Sequence, residues 1–391
     1  MNTVVFKTED LKERNNHMIR IKPCYAVKLD AHRLLFTCQE NNILYQLDLN
    51  TALVSSITLL QENCCMPNKI GRIVRSGEKL YGMPLVSRDL TIYDIQTGEI
   101  EHIELPQRIT DEIDDGKFAF FSGCFYRDYL YMFGYSYRGI IKYNIKNKTI
   151  EEIPVSQGFA RQYYSGDGFF HVSYLREGDT VFFPFQNSNA VLEFNLITDS
   201  FTVHSVGSQN QRYISIEKIG ERVFLIPRDG STGSVVVWNL NTGEVNEYNN
   251  YPDGFNRHKY AFYKSIVIDG KIVMLAHMGN MNICFDPTDM KMSRFLDFYD
   301  SSDINSAKYA VIYKEETNVH FLTPKGLVTW NYLTGDKCIK SYTYTKETIE
   351  RIHEIEMKKG LMDMMSKRTK PIIYENDVAS VNTYIGALLD L

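Results

Sequence analysis

Eight residues in the irregular polar segments of this 391-residue chain have side chains suited to recognition: Arg108, Arg161, Tyr163, Tyr164, Arg228, Arg257, His258 and His277. A guanidinium group supplies forked, charge-assisted donors, and Tyr and His rings supply flat faces with a polar edge. That mixture suits a sugar, a carboxylate or a peptide. Arg108 lies in LPQRITDEIDDGK, Arg161, Tyr163 and Tyr164 in SQGFARQYYSGDG, and Arg257 and His258 in YPDGFNRHK. The plainer reading of the tyrosines is packing, and of the arginines an ordinary surface charge.

Catalysis is less well supplied. Asp111, Glu112, Asp114 and Asp115 crowd one loop, and a carboxylate pair could also be assembled from separate loops, where spacing along the chain says nothing. His258 and His277 have no third ligand placed by spacing, so no metal is expected. The chain has no sialidase-type S-x-D-x-G-x-x-W box, no G-x-S-x-G elbow, no H-E-x-x-H and no phosphate-binding G-x-x-x-x-G-K-[ST]. The seven cysteines contain no C-x-x-C and read as reduced, mostly buried thiols. No cofactor is implied.

The elements that would position these residues come from a repeat. LDLNTA, YDIQTGE, YNIKNKT, FNLITDS, WNLNTGE, FDPTDM and WNYLTGD share one grammar: a bulky apolar residue, then Asp or Asn, then a polar turn. The anchors Asp48, Asp94, Asn144, Asn195, Asn239, Asp286 and Asn331 are 46, 50, 51, 44, 47 and 45 residues apart. Each interval holds four short strands, as in KFAFFSGCF, YLYMFGY, GIIKYNI and TIEEIPV. A four-strand meander repeated every 40 to 50 residues is a propeller blade. The expected fold is therefore all-β, a seven-bladed β-propeller over residues 18–344. The recurring Asp or Asn bonds its own turn.

This layout resembles the kelch and WD40-like superfamily of propellers, especially bacterial members with a (V/L)-(F/Y)-x-x-P second strand, seen here as LYGMP, VFFPF and VFLIP. The kelch double glycine and the WD dipeptide are absent, so the likeness is one of architecture. In some bacterial relatives such propellers accompany glycosyltransferase or peptide-modifying systems.

Around the repeat, residues 1–17 form an extension in which Thr3 to Lys7 could add an edge strand, and residues 345–391 form a helical tail. Seven complete units fit between about Ile21 and Tyr344, so closure of the ring need not exchange a terminal strand. In the tail, Ile349, Ile352, Ile355 and Met362 make one helical stripe with Gly360 as its breaker, and a second amphipathic segment follows Asn376. These helices either dock on the propeller itself or serve a partner or self-association. Net charge is −5 with no basic stripe, which argues against nucleic acid. No apolar stretch approaches a membrane span and no leader is evident, so a cytoplasmic location is expected. The a-to-b and c-to-d turns are tight, whereas the b-to-c and d-to-a connections are long and irregular, and the latter face is the expected site. The function these features support is non-catalytic recognition or scaffolding of a protein, peptide or glycan. The alternative is a lyase or glycoside hydrolase using carboxylate, His or Tyr groups in the central channel.

Overall fold

The computed structural model describes residues 21–38, 40–61, 69–113, 118–153, 170, 173–230, 233–256, 260–296 and 311–368, with side chains to 359. Their strands form seven antiparallel sheets of four consecutive strands, a to d, with a fifth strand added to the first sheet. The chain is a seven-bladed β-propeller. Strands a are Pro23–Lys28, Ile70–Ser76, Phe120–Tyr126, Leu175–Glu177, Tyr213–Ile219, Phe262–Ile268 and Val311–Glu315. The first strands of blades 1 and 2, 2 and 3, 4 and 5, 5 and 6, and 7 and 1 lie against one another, so strands a form the inner ring.

Alternation explains why the second strands read as continuous apolar runs. In blade 1, Leu34 and Phe36 enter the core shared with blade 7, while Leu35 enters the core shared with blade 2. A strand buried on both faces has no solvent side to carry polar residues. Prolines end the second strand at Pro84, Pro184 and Pro227, where a missing N–H costs the ladder least. On the turn face, Arg75 donates to the Lys28 and Leu29 carbonyls, Arg176 to Phe125 and Lys314 to Val267, while Lys218 pairs with Glu177. Lys28 and Glu315 continue this stitching across the 7–1 seam.

All seven anchors cap their own turns. Asp48 Oδ1 accepts from the Asn50 and Thr51 amides at 2.9 and 2.8 Å, and Asn239 Oδ1 from Asn241 and Thr242 at 2.9 and 3.1 Å; the other five do the same for one or two amides. Four residues beyond each anchor the backbone is left-handed, at Ala52, Gly98, Lys148, Asp199, Gly243, Met290 and Gly335. Glycine fills three of the seven, which is the origin of the Thr-Gly signature.

The ring closes differently from the simplest expectation. Each blade does own four consecutive strands, but Thr343–Tyr344 then pairs in parallel with the outermost strand of blade 1. Thr343 and Thr345 donate to the Ala52 and Val54 carbonyls at 3.1 and 3.2 Å, and the Ser56 amide donates to Thr348 Oγ1 at 2.7 Å. Thr345 accepts from the Thr348 amide and so caps the C-terminal helix, Lys346–Arg368. Ile352 and Ile355 are buried in the seam between blades 1 and 7, with Ile349 half-buried beside them. The helix runs through Gly360 rather than stopping there; a single glycine costs about 1 kcal/mol, too little to end a helix already in place. Thr3 to Lys7, Met362 and the segment after Asn376 lie outside the residues whose side chains are described.

Candidate ligand site at the channel mouth

Strands a enter from the face that carries the long connections, so their first residues border the mouth of the channel. In five blades that entry is irregular: the register shifts between Pro23 and Tyr25, Ile70 and Ile73, Phe133 and Gly134, Tyr213 and Ser215, and Phe262 and Lys264. A bulge re-aims the side chains next to it. In four of these blades the displaced or adjoining residues, Tyr25, Arg72, Ser215 and Lys264, have polar side chains at the inner ring.

Above them runs a belt across the connections of blades 3 to 6. Phe121 meets the Tyr135 ring edge-on at 4.7 Å. Gln186 Nε2 donates to Tyr135 Oη at 3.1 Å. Arg228 donates to the Gln186 carbonyl at 3.2 Å, to Asn187 Oδ1 at 2.5 Å and to Tyr260 Oη at 3.3 Å, with its guanidinium 4.9 Å from the Tyr260 ring centre. Phe118, Leu85 and Phe121 make the belt's apolar end.

Below the belt, Arg72 of blade 2 stacks on Tyr174 of blade 4 at 4.9 Å, reaching past blade 3, where Tyr174 donates to the Gly123 carbonyl at 3.2 Å. Gly123 leaves no room for a side chain: a Cβ there would fall 2.3 Å from Met83 and 2.6 Å from the Tyr131 carbonyl. Ser173, Ser215 and Ser265, on three successive blades, form a hydroxyl chain with steps of 2.8 Å that ends on Glu217 Oε1 at 2.9 Å. Ser265 has one proton, so when Glu217 is ionised Ser265 donates to it and accepts from Ser215. A protonated Glu217 reverses the direction.

Burial pushes the Glu217 carboxyl up to about 7, against the opposing pulls of Ser265 and Lys264. Burial first, and then the Arg72 charge, brings the Lys264 amine down to about 8. For Glu217 the unfolded chain releases its proton near 4.5 while the folded chain keeps it until about 7, so stability falls as pH rises through that window. Glu217→Gln is expected to flatten this fall, by about 2 kcal/mol between pH 5 and pH 7.5 in urea titrations. An unchanged slope would mean that Glu217 is ionised throughout.

The sequence candidates separate. Arg228 belongs to the belt. Arg108 sits on the short helix Gln107–Glu112, exposed, and pairs at 2.5 Å with Glu152 on the outermost strand of blade 3. In the same helix Asp111 accepts from Gln107 Nε2 at 2.6 Å. His277 is 3% exposed, with its ring edge toward Tyr263 at 6.1 Å. Arg161, Tyr163, Tyr164, Arg257 and His258 lie outside the described residues, as do Asp114 and Asp115. Among the described residues no group of three or more His, Cys, Asp or Glu side chains could hold a metal, and no helix is long and apolar enough to cross a membrane. Cys24, Cys38, Cys124, Cys284 and Cys338 are free thiols, the first three buried.

No protein-family model matches the chain, and no curated protein sequence does. Solved structures do match. Virginiamycin B lyase from Staphylococcus aureus aligns with a TM-score of 0.59 and 11% identity over 78% of this chain and 94% of that one. A catalytically inactive variant of that lyase with quinupristin gives 0.59 and 11%, over 78% and 92%. A streptogramin B lyase gives 0.56 and 12%, over 83% and 95%. At these identities the likeness is one of fold: this chain shares the propeller architecture of bacterial proteins.

Proposed function

We propose that this chain is a non-catalytic recognition module that takes a small ligand, or the end of a peptide or glycan, at the mouth of its central channel. The observation that carries this reading is the Arg228 assembly. One guanidinium ties the connections of blades 4, 5 and 6 together while lying on the Tyr260 ring, a rigid combination of directed donors and flat apolar surface. The half-buried Asn187 amide beside the guanidinium adds a hydrogen-bonding edge suited to hydroxyls, carboxylates or peptide bonds, while buried Gln186 holds Tyr135 in place. A cytoplasmic setting, and a protein partner held on this same face, are part of the proposal.

The test is ligand capture. Tagged full-length protein is incubated with a native extract, and retained small molecules and peptides are identified by mass spectrometry. Arg228→Ala is expected to lower retention about tenfold or more, with the fold intact by circular dichroism and the melting temperature lower by a few degrees for the lost loop contacts. Equal retention by the variant would move the site elsewhere.

A second reading is favoured by one observation. Glu217, raised to about 7 by burial, ends a hydroxyl chain drawn from three blades, a placement from which a carboxyl could exchange a proton with a ligand at neutral pH. An enzyme would turn its captured ligand over and lose that turnover in Glu217→Gln. A recognition module returns the ligand unchanged.

A further inference from the structure

The third residue of strand b faces the next blade all round the ring. In blades 1 to 6 it is Leu35, Tyr81, Tyr131, Phe182, Phe224 and Val273, and each enters the core shared with the following blade. In blade 7 it is His320. Tyr131 shows what a long side chain does here: its hydroxyl lies 3.0 Å from both the Leu196 carbonyl and Asp199 Oδ1, on the c-to-d turn of blade 4. His320 is shorter and makes no such bond to the matching turn of blade 1. That turn, through Leu49 and Asn50, and His320 line a cleft of about 440 Å³ on the turn face, with Glu316, Thr329 and Cys338 also on its walls. The volume is that of a small-molecule site, roughly 300 to 1,000 Å³.

His320 is 6% exposed, and its ring is held on two sides. Nδ1 lies 3.0 Å from Thr329 Oγ1, and the Tyr313 ring stacks on the imidazole at 6.0 Å between centres. Nε2 has no partner among the described residues, yet it is not sealed from solvent. Burial holds the imidazole below its ordinary pKa, so the ring is neutral at pH 7, and with Nδ1–H on Thr329 its Nε2 is an acceptor. A nearly buried acceptor without a partner carries a desolvation cost that an incoming donor offsets. The cations around the cleft are already committed: Lys28 pairs with Glu315, and Lys340 donates to the Asn50 carbonyl. Glu316 is exposed, and its carboxylate makes no hydrogen bond or ion pair among the described residues. The unused polar atoms are therefore acceptors.

We infer that the cleft between blades 7 and 1 is a second binding site, for a cationic group on a flexible stem: the guanidinium or ammonium of an arginine-like or lysine-like ligand. Glu316 meets its charge, His320 Nε2 accepts one of its hydrogens, and Ala31 and Leu49 give the stem an apolar wall. The site lies on the face opposite the channel mouth and does not rest on the Arg228 reading. A basic protein segment and a free amine both present this group.

The probe is an acetylated and amidated Gly-Arg-Gly peptide, added to the full-length protein. Its citrulline counterpart serves as the neutral isostere, a Gly-Glu-Gly peptide as the anion and free L-arginine as the small-molecule form. Cys338 is exposed and lines the cleft, so its alkylation by N-ethylmaleimide, read by mass spectrometry of the fragment that carries it, reports occupancy. The arginine peptide is expected to slow this alkylation saturably, by about tenfold or more, where the citrulline and glutamate peptides do not. His320→Phe supplies the ring that Phe182 and Phe224 place at this position in blades 4 and 5, and should abolish the protection. Glu316→Gln, at an exposed position, should weaken the apparent affinity about fivefold and keeps the test decisive should the phenylalanine variant fail to fold. Arg228→Ala should leave the protection intact. Protection by free L-arginine as well as by the peptide supports the site with a small amine as its ligand, and protection by the peptide alone supports it with a protein segment as the source. Equal protection by the citrulline peptide, protection by the glutamate peptide, or protection that survives both variants overturns the site.

Discussion

Replacing Ile352 and Ile355 together by alanine is expected to lower the unfolding free energy by about 4 to 8 kcal/mol, the sum of two buried isoleucine truncations. Both side chains are 5% exposed and share a core with Leu34 and Phe36 of blade 1 and Val311, Leu322 and Leu327 of blade 7. That core lies on the seam where the first and last blades meet, which the chain crosses through the two-residue strand Thr343–Tyr344 and the helix that follows it. A closed ring relies on every seam, so loosening this one lets strand a of blade 1 and strand a of blade 7 part. Urea titrations should report the loss, and hydrogen exchange should rise first in Pro23–Lys28 and Val311–Glu315. Met357→Ala, on the same helix but 68% exposed, should change stability by less than about 0.5 kcal/mol. If the isoleucine pair costs less than about 1 kcal/mol, the helix merely lies on the ring and does not lock it.

The fold was legible in the sequence because each blade must solve the same local problem. A sharp c-to-d turn needs an Asp or Asn at its start and a left-handed residue four positions on, and these leave a visible mark at Asp94 with Gly98 and at Asn239 with Gly243. The closing strand left no such mark. Thr343–Tyr344 is two residues long, below the length at which alternation can be read, and it pairs with residues nearly three hundred positions away.

The site was legible only by face. The contrast between tight turns and long connections placed Arg228 among the long connections, but nothing in VFLIPRDG indicates that its guanidinium will meet Tyr260, or that Gln186 will bridge it to Tyr135. Those contacts join loops on different blades, so no spacing along the chain encodes them. Lys264 and Arg72 were hidden for another reason. In FYKSIVI and IGRIVRS they sit inside plain strand patterns, and only the bulge beside each one displaces it from the alternation.

Trp238→Ala should cost about 3 to 5 kcal/mol, and the matching change at Trp330 distinctly less. Both tryptophans occupy the same place, the last residue of strand c before the anchoring Asn, where the other blades carry Leu47, Tyr93, Tyr143, Phe194 and Phe285. Trp238 is 9% exposed and fills the core between blades 4 and 5 with Phe182, Val191, Tyr213 and Leu225, its ring 5.1 Å from that of His204. Trp330 is half-buried on the last blade, edge-on to Phe295 at 5.1 Å and near Tyr332, so truncation there leaves a dent open to water rather than a closed cavity. A cavity term adds to the transfer term only where neighbours cannot relax or be hydrated, which separates the two sites by about 1 to 2 kcal/mol. Urea midpoints for both variants test this. Equal losses would mean that the 6–7 interface is as closed as the 4–5 interface, and a loss near zero at Trp238 would contradict the blade packing on which the ring is built.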